Sequence, residues 1–305
     1  MPVSAATICV LANPGSGRNS RDAEAINVAL AVFGPQAELR HWEPGDDLEV
    51  AVKQAVVDGF STIVAAGGDG TVMGVAHALA GTKARLAVLP LGTFNYFARG
   101  LGIPQEPREA AEAILAGHTK RISVGAVNGQ VFLNNASIGI YPKILRERED
   151  IYSRFGRRRI AAHWSVIRTV IRFQRPMTLR LTTDGTTRSV RTPLLFVARS
   201  AYQLSHFGLD AQQTISDDGF ALFIAKGTTR MDLLNLALRL ATKTVVIGRD
   251  VEMIPAKSIS VETLHPMPDV AFDGEKARMK SPLDFRILTD ALEIIVPDTA
   301  HKAAA

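Results

Sequence analysis

The chain has 305 residues, 47% hydrophobic and 21% charged, close to ordinary globular usage, which excludes a disordered, collagenous or coiled-coil chain. At about 150 residues per domain this length suggests two domains, each able to bury a core. Thirty-five Lys and Arg against 30 Asp and Glu leave a formal charge of +5, which suits an anionic ligand or surface but is too small to argue for nucleic acid. The single cysteine, Cys9, lies in an apolar run; it excludes an intrachain disulfide framework and reads as a small core residue. There is no run of 18 apolar residues, so no membrane-spanning helix is expected. The N-terminus has no basic and then apolar leader, and a cytoplasmic protein is expected.

The first 120 residues alternate short β-branched runs with helical stretches. Thr7–Ala12 is expected as a buried strand and Ser20–Phe33 as a helix. Glu38–Trp42 follows as a strand, then a helix over Asp46–Asp58 opened by Asp46 or Asp47. Thr62–Ala66 is a strand, Val72–Leu79 a helix, Leu86–Pro90 a strand and Arg108–Ala116 a helix. Such alternation predicts a parallel sheet covered on both faces.

Beyond about Ile122 the texture changes. Ser123–Val127, Gln130–Ser137, Thr178–Thr183, Thr187–Ala198, Gly219–Ala225, Ser258–Glu262, Val270–Phe272 and Leu283–Ile287 are expected as strands. Asn128-Gly129 and Asp184-Gly185 are hairpin signals between such runs. Helices are expected at Arg157–Phe173 and Met231–Lys243, and a last strand at Leu292–Val296. The predicted fold is a nucleotide-binding α/β domain over residues 1–122 and a β-rich antiparallel sandwich over 123–290. A C-terminal strand and tail over 291–305 can return to the first domain.

Three glycine-bearing turns follow three of the first-domain strands: Asn13-Pro14-Gly15-Ser16-Gly17, Gly67-Gly68-Asp69-Gly70-Thr71 and Pro90-Leu91-Gly92-Thr93-Phe94-Asn95. In an open parallel sheet, ligands bind outside the carboxyl ends of the strands, so the three turns can converge on one crevice. Glycines let backbone N–H groups approach an anion, and the helix after Thr71 points its positive end at the loop. Ser16, Thr71, Thr93 and Asn95 add hydroxyl and amide donors. No Gly-x-x-x-x-Gly-Lys-Ser/Thr string occurs, and the last glycine of Gly68–Gly74 is one residue too far for the dinucleotide fingerprint. An acid beside phosphates repels them unless a divalent cation lies between. Asp69 therefore implies a metal-nucleotide ligand.

These three strings, continued by Ala98-Arg99, resemble the diacylglycerol kinase catalytic-domain family, which holds bacterial lipid kinases and sphingosine kinases and is distantly related to NAD kinases. The resemblance spans the chain in order. It implies that the first domain holds ATP, with Asn13, Ser16, Gly17, Gly67, Gly68, Asp69, Gly70, Thr71, Thr93 and Asn95 around it and Asp69 reaching Mg2+. His41 stands where relatives often carry a nucleotide-contacting threonine. Asp273-Gly274-Glu275 resembles the family's aspartate-glycine-glutamate motif, so Asp273 or Glu275 would take the acceptor's proton. Asp217-Asp218-Gly219-Phe220 resembles a structural metal turn, with ligands from Ile215, Asp218 and Phe220.

Two positions depart from the family pattern. Tyr96 follows Asn95 where an aspartate is common, and Tyr141-Pro142 follows the Ile138-Gly139-Ile140 turn where a second acid is often found. Between Lys143 and Arg175 lie ten Lys and Arg against Glu147, Glu149 and Asp150. Ile160, Trp164, Ile167 and Ile171 give the Arg157–Phe173 segment one apolar face. A basic helix of this kind reads as an interfacial binder of anionic membrane; few aromatics argue against nucleic acid. The sequence reading is thus an ATP- and Mg2+-dependent lipid kinase, peripherally attached to the membrane, acting on a diacylglycerol-like or sphingoid-like alcohol. The alternatives are an NAD kinase-like enzyme and a nucleotide-binding regulatory protein without turnover. A homodimer is one assembly the sequence allows.

Overall fold

The computed structural model describes residues 6–12, 20–42, 47–145 and 176–298. The chain divides into two units, one of residues 1–124 and 288–305, the other of residues 125–287. The predicted segments at residues 157–173 and 13–17 lie outside the described residues.

The first unit is built on strands β1 (Ile8–Ala12), β2 (Ala37–His41), β3 (Thr62–Gly67) and β4 (Arg85–Pro90). They form a parallel sheet in the order β2-β1-β3-β4. Every residue of β1 and β3 is buried, as expected of parallel strands covered on both faces. Helices α1 (Ser20–Phe33), α2 (Leu48–Val57), α3 (Asp69–Leu79), α4 (Tyr96–Gly100) and α5 (Pro107–Ala116) connect the strands. Val10, Val64 and Leu89 share a core with Ile26 and Phe33 of α1 and Ile114 of α5, while α3 packs on β3 and β4. Asp47, one of the two expected caps, accepts the Glu49 N–H at 2.9 Å and starts α2. Burial pushes the Cys9 thiol up to about 11, as suits a core residue.

The second unit contains a six-stranded antiparallel sheet. Its strand order is Val251–Ala256, Phe220–Ala225, Leu194–Ala198, Asn135–Gly139, Asp269–Phe272, Glu275–Arg278. A further antiparallel run joins the start of Leu283–Val296 to Ile259–Thr263, Met177–Thr183 and Thr186–Thr192. Phe132 packs on Phe220 of the first sheet at 6.0 Å between ring centroids and on Phe285 of the second at 6.4 Å. The three rings thus knit the sandwich core. Leu204, Leu209 and Leu236, from the helices Ala201–His206 and Arg230–Thr242 and the chain between, pack with Ala221 and Phe223 in a separate cluster.

The observed architecture is the predicted α/β unit and antiparallel sandwich, but several boundaries move for physical reasons. Gln130–Ser137 is two strands, because the N–H groups of Leu133 and Asn134 go to a side chain rather than a ladder. Thr187–Ala198 is cut at Pro193, which has no N–H, and the two pieces join different sheets. Conversely, Leu283–Ile287 and Leu292–Val296 are parts of one strand that passes through Asp290 at a positive φ of 48°. Two edge strands escape the sequence reading: Val251–Ala256, which contains Pro255, and the charged Glu275–Arg278. Proline and charge are edge features.

A small cavity of about 200 Å³ in the second unit is lined by Leu233, Leu236, Arg239, Arg249 and Asp250. The Arg249 guanidinium, with the Val246 N–H and Arg239, holds the Asp250 carboxyl down to about 2. A depressed acid stabilises the fold above its unfolded value of about 3.9. That contribution is lost as pH falls through about 2. Thermal midpoints of wild type and Asp250→Asn are expected to differ at pH 5 and to converge toward pH 2. A constant gap would contradict this.

Candidate active site

Four strands of the first unit end level with one another. Ala12 is in register with His41 and with Ala66, and Gly67 with Pro90. His41, the turn at Gly67 and the turn at Pro90 therefore share one sheet edge, at the carboxyl ends of the strands. His41 is exposed there. Asn13, Ser16 and Gly17, which follow β1, lie outside the described residues.

The expected phosphate loop is shorter than the sequence suggested. Helix α3 begins at Asp69 rather than Val72, with Gly68 as its extended N-cap and the Val72 N–H on the Gly68 carbonyl at 3.1 Å. Asp69, Gly70 and Thr71 are thus the first turn of a helix, where N–H groups have no intrahelical acceptor. A glycine cap offers no side chain to take them. This end of α3 is built to receive an anion.

The second and third glycine turns touch. The Leu91 N–H donates to the Gly67 carbonyl at 2.9 Å. A Cβ on Gly92 would come within 2.6 Å of the Gly68 Cα, so only glycine permits this approach. Asn95 corrects an expectation. It is 5% exposed, sits at a positive φ of 51° and donates its amide to the Gly92 carbonyl and Gln105 Oε1, both at 3.0 Å. Both amide protons go to protein acceptors, one in the turn and one ten residues on, so Asn95 shapes the loop. Thr93 remains exposed. The Asp69 carboxylate accepts the Phe97 N–H at 3.2 Å and so ties the start of α3 to the start of α4. Tyr96 stacks on Phe94 with centroids 5.4 Å apart and planes 5° apart.

In the second unit, Asp273 and Gly274 form the two-residue turn between Phe272 and Glu275, with φ values of 47° and 93°. These are the positive φ angles that an Asp-Gly hairpin supplies cheaply. Asp273 is 7% exposed, and its carboxylate accepts the N–H groups of Leu133, Asn134 and Asn135 at 2.5, 2.8 and 2.9 Å. Glu275, two residues on, is exposed at the start of its strand. The structure therefore separates the two candidate bases: one is built into the loop, the other stands in the open. Asp273→Ala strips three buried donors of their acceptor, at about 1–3 kcal/mol each. With about 2–4 °C lost per kcal/mol in a unit of this size, the expected fall in thermal midpoint exceeds about 6 °C. An unchanged midpoint would contradict the role.

Family models match both parts of the chain. Residues 7–127 match the model of the diacylglycerol kinase catalytic domain, and residues 141–296 match the YegS C-terminal NAD kinase beta sandwich-like domain. The chain belongs to the family that carries this YegS C-terminal NAD kinase beta sandwich-like domain, here preceded by a diacylglycerol kinase catalytic domain. A Pseudomonas aeruginosa protein named "Probable lipid kinase YegS-like" is 51% identical over 133 residues, 43% of each chain. A Bacillus subtilis protein named diacylglycerol kinase is 37% identical over 135 residues, 43% of this chain and 45% of the relative. These matched stretches span less than half of the relatives' length. A solved Bacillus anthracis structure described as a diacylglycerol kinase shares the fold, with a TM-score of 0.71 at 24% identity over 97% of this chain and 98% of that one.

Within this family the metal turn expected at Ile215, Asp218 and Phe220 does not fit a cation. Asp218 Oδ1 accepts Arg199 Nη2 at 2.8 Å. The Ile215 carbonyl takes the Asp218 N–H at 3.1 Å, and Phe220 pairs with Ala256 in the sheet. Among the described residues no three of His, Cys, Asp or Glu converge on a point that would hold a metal. The α3 terminus differs: Asp69 is an acid beside donors suited to phosphate, a set that fits a phosphate-bound Mg2+. Sequence reasoning missed Gln105 and Arg199. Neither carries a local signal, since each acts on a turn at least ten residues away.

Proposed function

We propose that this chain is an ATP- and Mg2+-dependent lipid kinase that transfers the γ-phosphoryl group to a hydroxyl of a diacylglycerol-like or sphingoid-like lipid. The observation that carries the reading is the start of α3, an uncapped helix terminus with a carboxylate in its first turn, set at a glycine-lined sheet edge. The N–H groups of that turn bind phosphate oxygens, and Asp69 faces the cation that phosphates bring. Bound Mg2+ supplies charge neutralisation between the phosphoryl oxygens. Gly68 and Gly92 keep side chains out of the space, and Thr93 lends an exposed hydroxyl. Glu275 is the accessible carboxylate of the aspartate-glycine-glutamate turn and takes the proton of the acceptor hydroxyl. Asp273 is its positioning residue, through the backbone it holds. The acceptor class is tested by offering short-chain diacylglycerol and sphingosine in mixed micelles with labelled ATP. Labelling of neither would contradict it.

Among the described residues no helix is long and apolar enough to cross a membrane. A lipid acceptor still requires contact with a bilayer, and the arginine-rich sequence at residues 157–173 supports that contact through anionic headgroups. Each arginine near such a surface contributes about 1 kcal/mol. Replacing Arg157, Arg158 and Arg159 with glutamine is expected to weaken sedimentation with anionic vesicles by up to about a hundredfold. High salt should weaken wild type likewise. Equal binding of mutant and wild type would remove this segment from the interface.

A further inference from the structure

The turn at Asp217–Phe220 already contains a cation. Arg199 follows the central strand Leu194–Ala198, and its side chain is 7% exposed. Its backbone N–H is fixed on the Asn134 carbonyl at 2.8 Å. Its guanidinium spans the turn. Nη2 donates to Asp218 Oδ1 at 2.8 Å and Nη1 to the Gly219 carbonyl at 3.0 Å. The same group lies 6.0 Å from the centroid of the Phe220 ring. A second cation, Lys257, donates its ammonium to the Asp217 carbonyl.

Asp218 is held at a positive φ of 57°, a conformation that Asp tolerates in turns. Gly219 is required beside it, because a Cβ there would lie 2.8 Å from the Thr214 carbonyl oxygen. Each oxygen of the turn named here faces an N–H or a side-chain cation of the protein. A divalent ion on Asp218 would have to share its carboxylate with a guanidinium that cannot lose its charge.

We propose that Arg199 is the resident cation of this turn, fixing through the side chain what a bound divalent ion would otherwise fix, so that the second unit needs no structural metal. This does not rest on the kinase reading, since the turn and Arg199 lie in the second unit and neither is placed in the catalytic machinery.

The test uses the whole, nucleotide-free protein and reads thermal unfolding in EDTA, in Mg2+ alone and in Ca2+ alone. The wild-type midpoint is expected to be the same in all three. Arg199→Gln is expected to lower it by about 5–10 °C, and added Mg2+ or Ca2+ to recover part of that loss. Arg199→Lys keeps a charge without the two-pronged geometry and should fall between. A wild-type midpoint that rises with either metal, with the rise abolished by Asp218→Asn, would overturn the proposal. The wild-type titration decides even if Arg199→Gln fails to fold.

Discussion

Asp69→Ala and Asp69→Asn are both expected to lose turnover by at least about 10²–10³, the usual cost of removing one preorganised electrostatic group from a transferring centre. Asp69 lies in the first turn of α3, where helix N–H groups and glycine backbone favour phosphate. The helix dipole favours a carboxylate there, but that carboxylate repels bound phosphate unless a cation lies between them, which is the role proposed for Asp69 with Mg2+. The two substitutions separate this from a structural role. Asparagine keeps an oxygen for the Phe97 N–H, which Asp69 accepts at 3.2 Å; alanine does not. A hydrogen bond to a charged group is worth about 1.5–3 kcal/mol. Asp69→Asn should therefore lose rate with little change in thermal midpoint, and Asp69→Ala should lose both. Near-wild-type rates in Asp69→Asn at saturating Mg2+ would show that the charge is not used.

Glu275→Gln is expected to lower turnover by about 10²–10⁴, the range for removal of a general base, with KM for ATP and the thermal midpoint little changed. Glu275 is exposed and begins an edge strand, so glutamine fits without repacking. Asp273→Asn is the companion measurement. It retains one acceptor oxygen where the native side chain uses both for the Leu133, Asn134 and Asn135 N–H groups. Its rate loss should come with a loss of stability. If Asp273→Asn is fully stable yet inactive and Glu275→Gln is active, the two roles are exchanged.

The repeating strands and helices of the first unit were legible because β1, β3 and β4 are largely apolar runs between turn residues, and α1 spans the same Ser20–Phe33 in structure as in the sequence. The start of α3 was not. Gly68, Asp69 and Gly70 read as loop, since glycine is a poor helix former, yet here glycine serves as the cap. The Asp273-Gly274-Glu275 motif was legible, but the Glu275–Arg278 strand that makes it a hairpin was not. The three N–H groups that Asp273 gathers come from 138 to 140 residues earlier in the chain, beyond any local pattern. The same holds for Asn95. Its residue type suggested a ligand donor, and only the fold shows both amide protons committed to Gly92 and Gln105. Residue type indicates which chemistry is available; partners distant in the chain decide whether it is spent on the fold or left for a ligand.

The most direct measurement incubates the purified protein with γ-labelled ATP, Mg2+ and a total lipid extract, then separates the products by chromatography. A labelled phospholipid that needs Mg2+ and is lost with Asp69→Asn and Glu275→Gln is the expected result. ATP binding with no labelled lipid from any extract would contradict the kinase assignment and leave a nucleotide-binding protein without turnover.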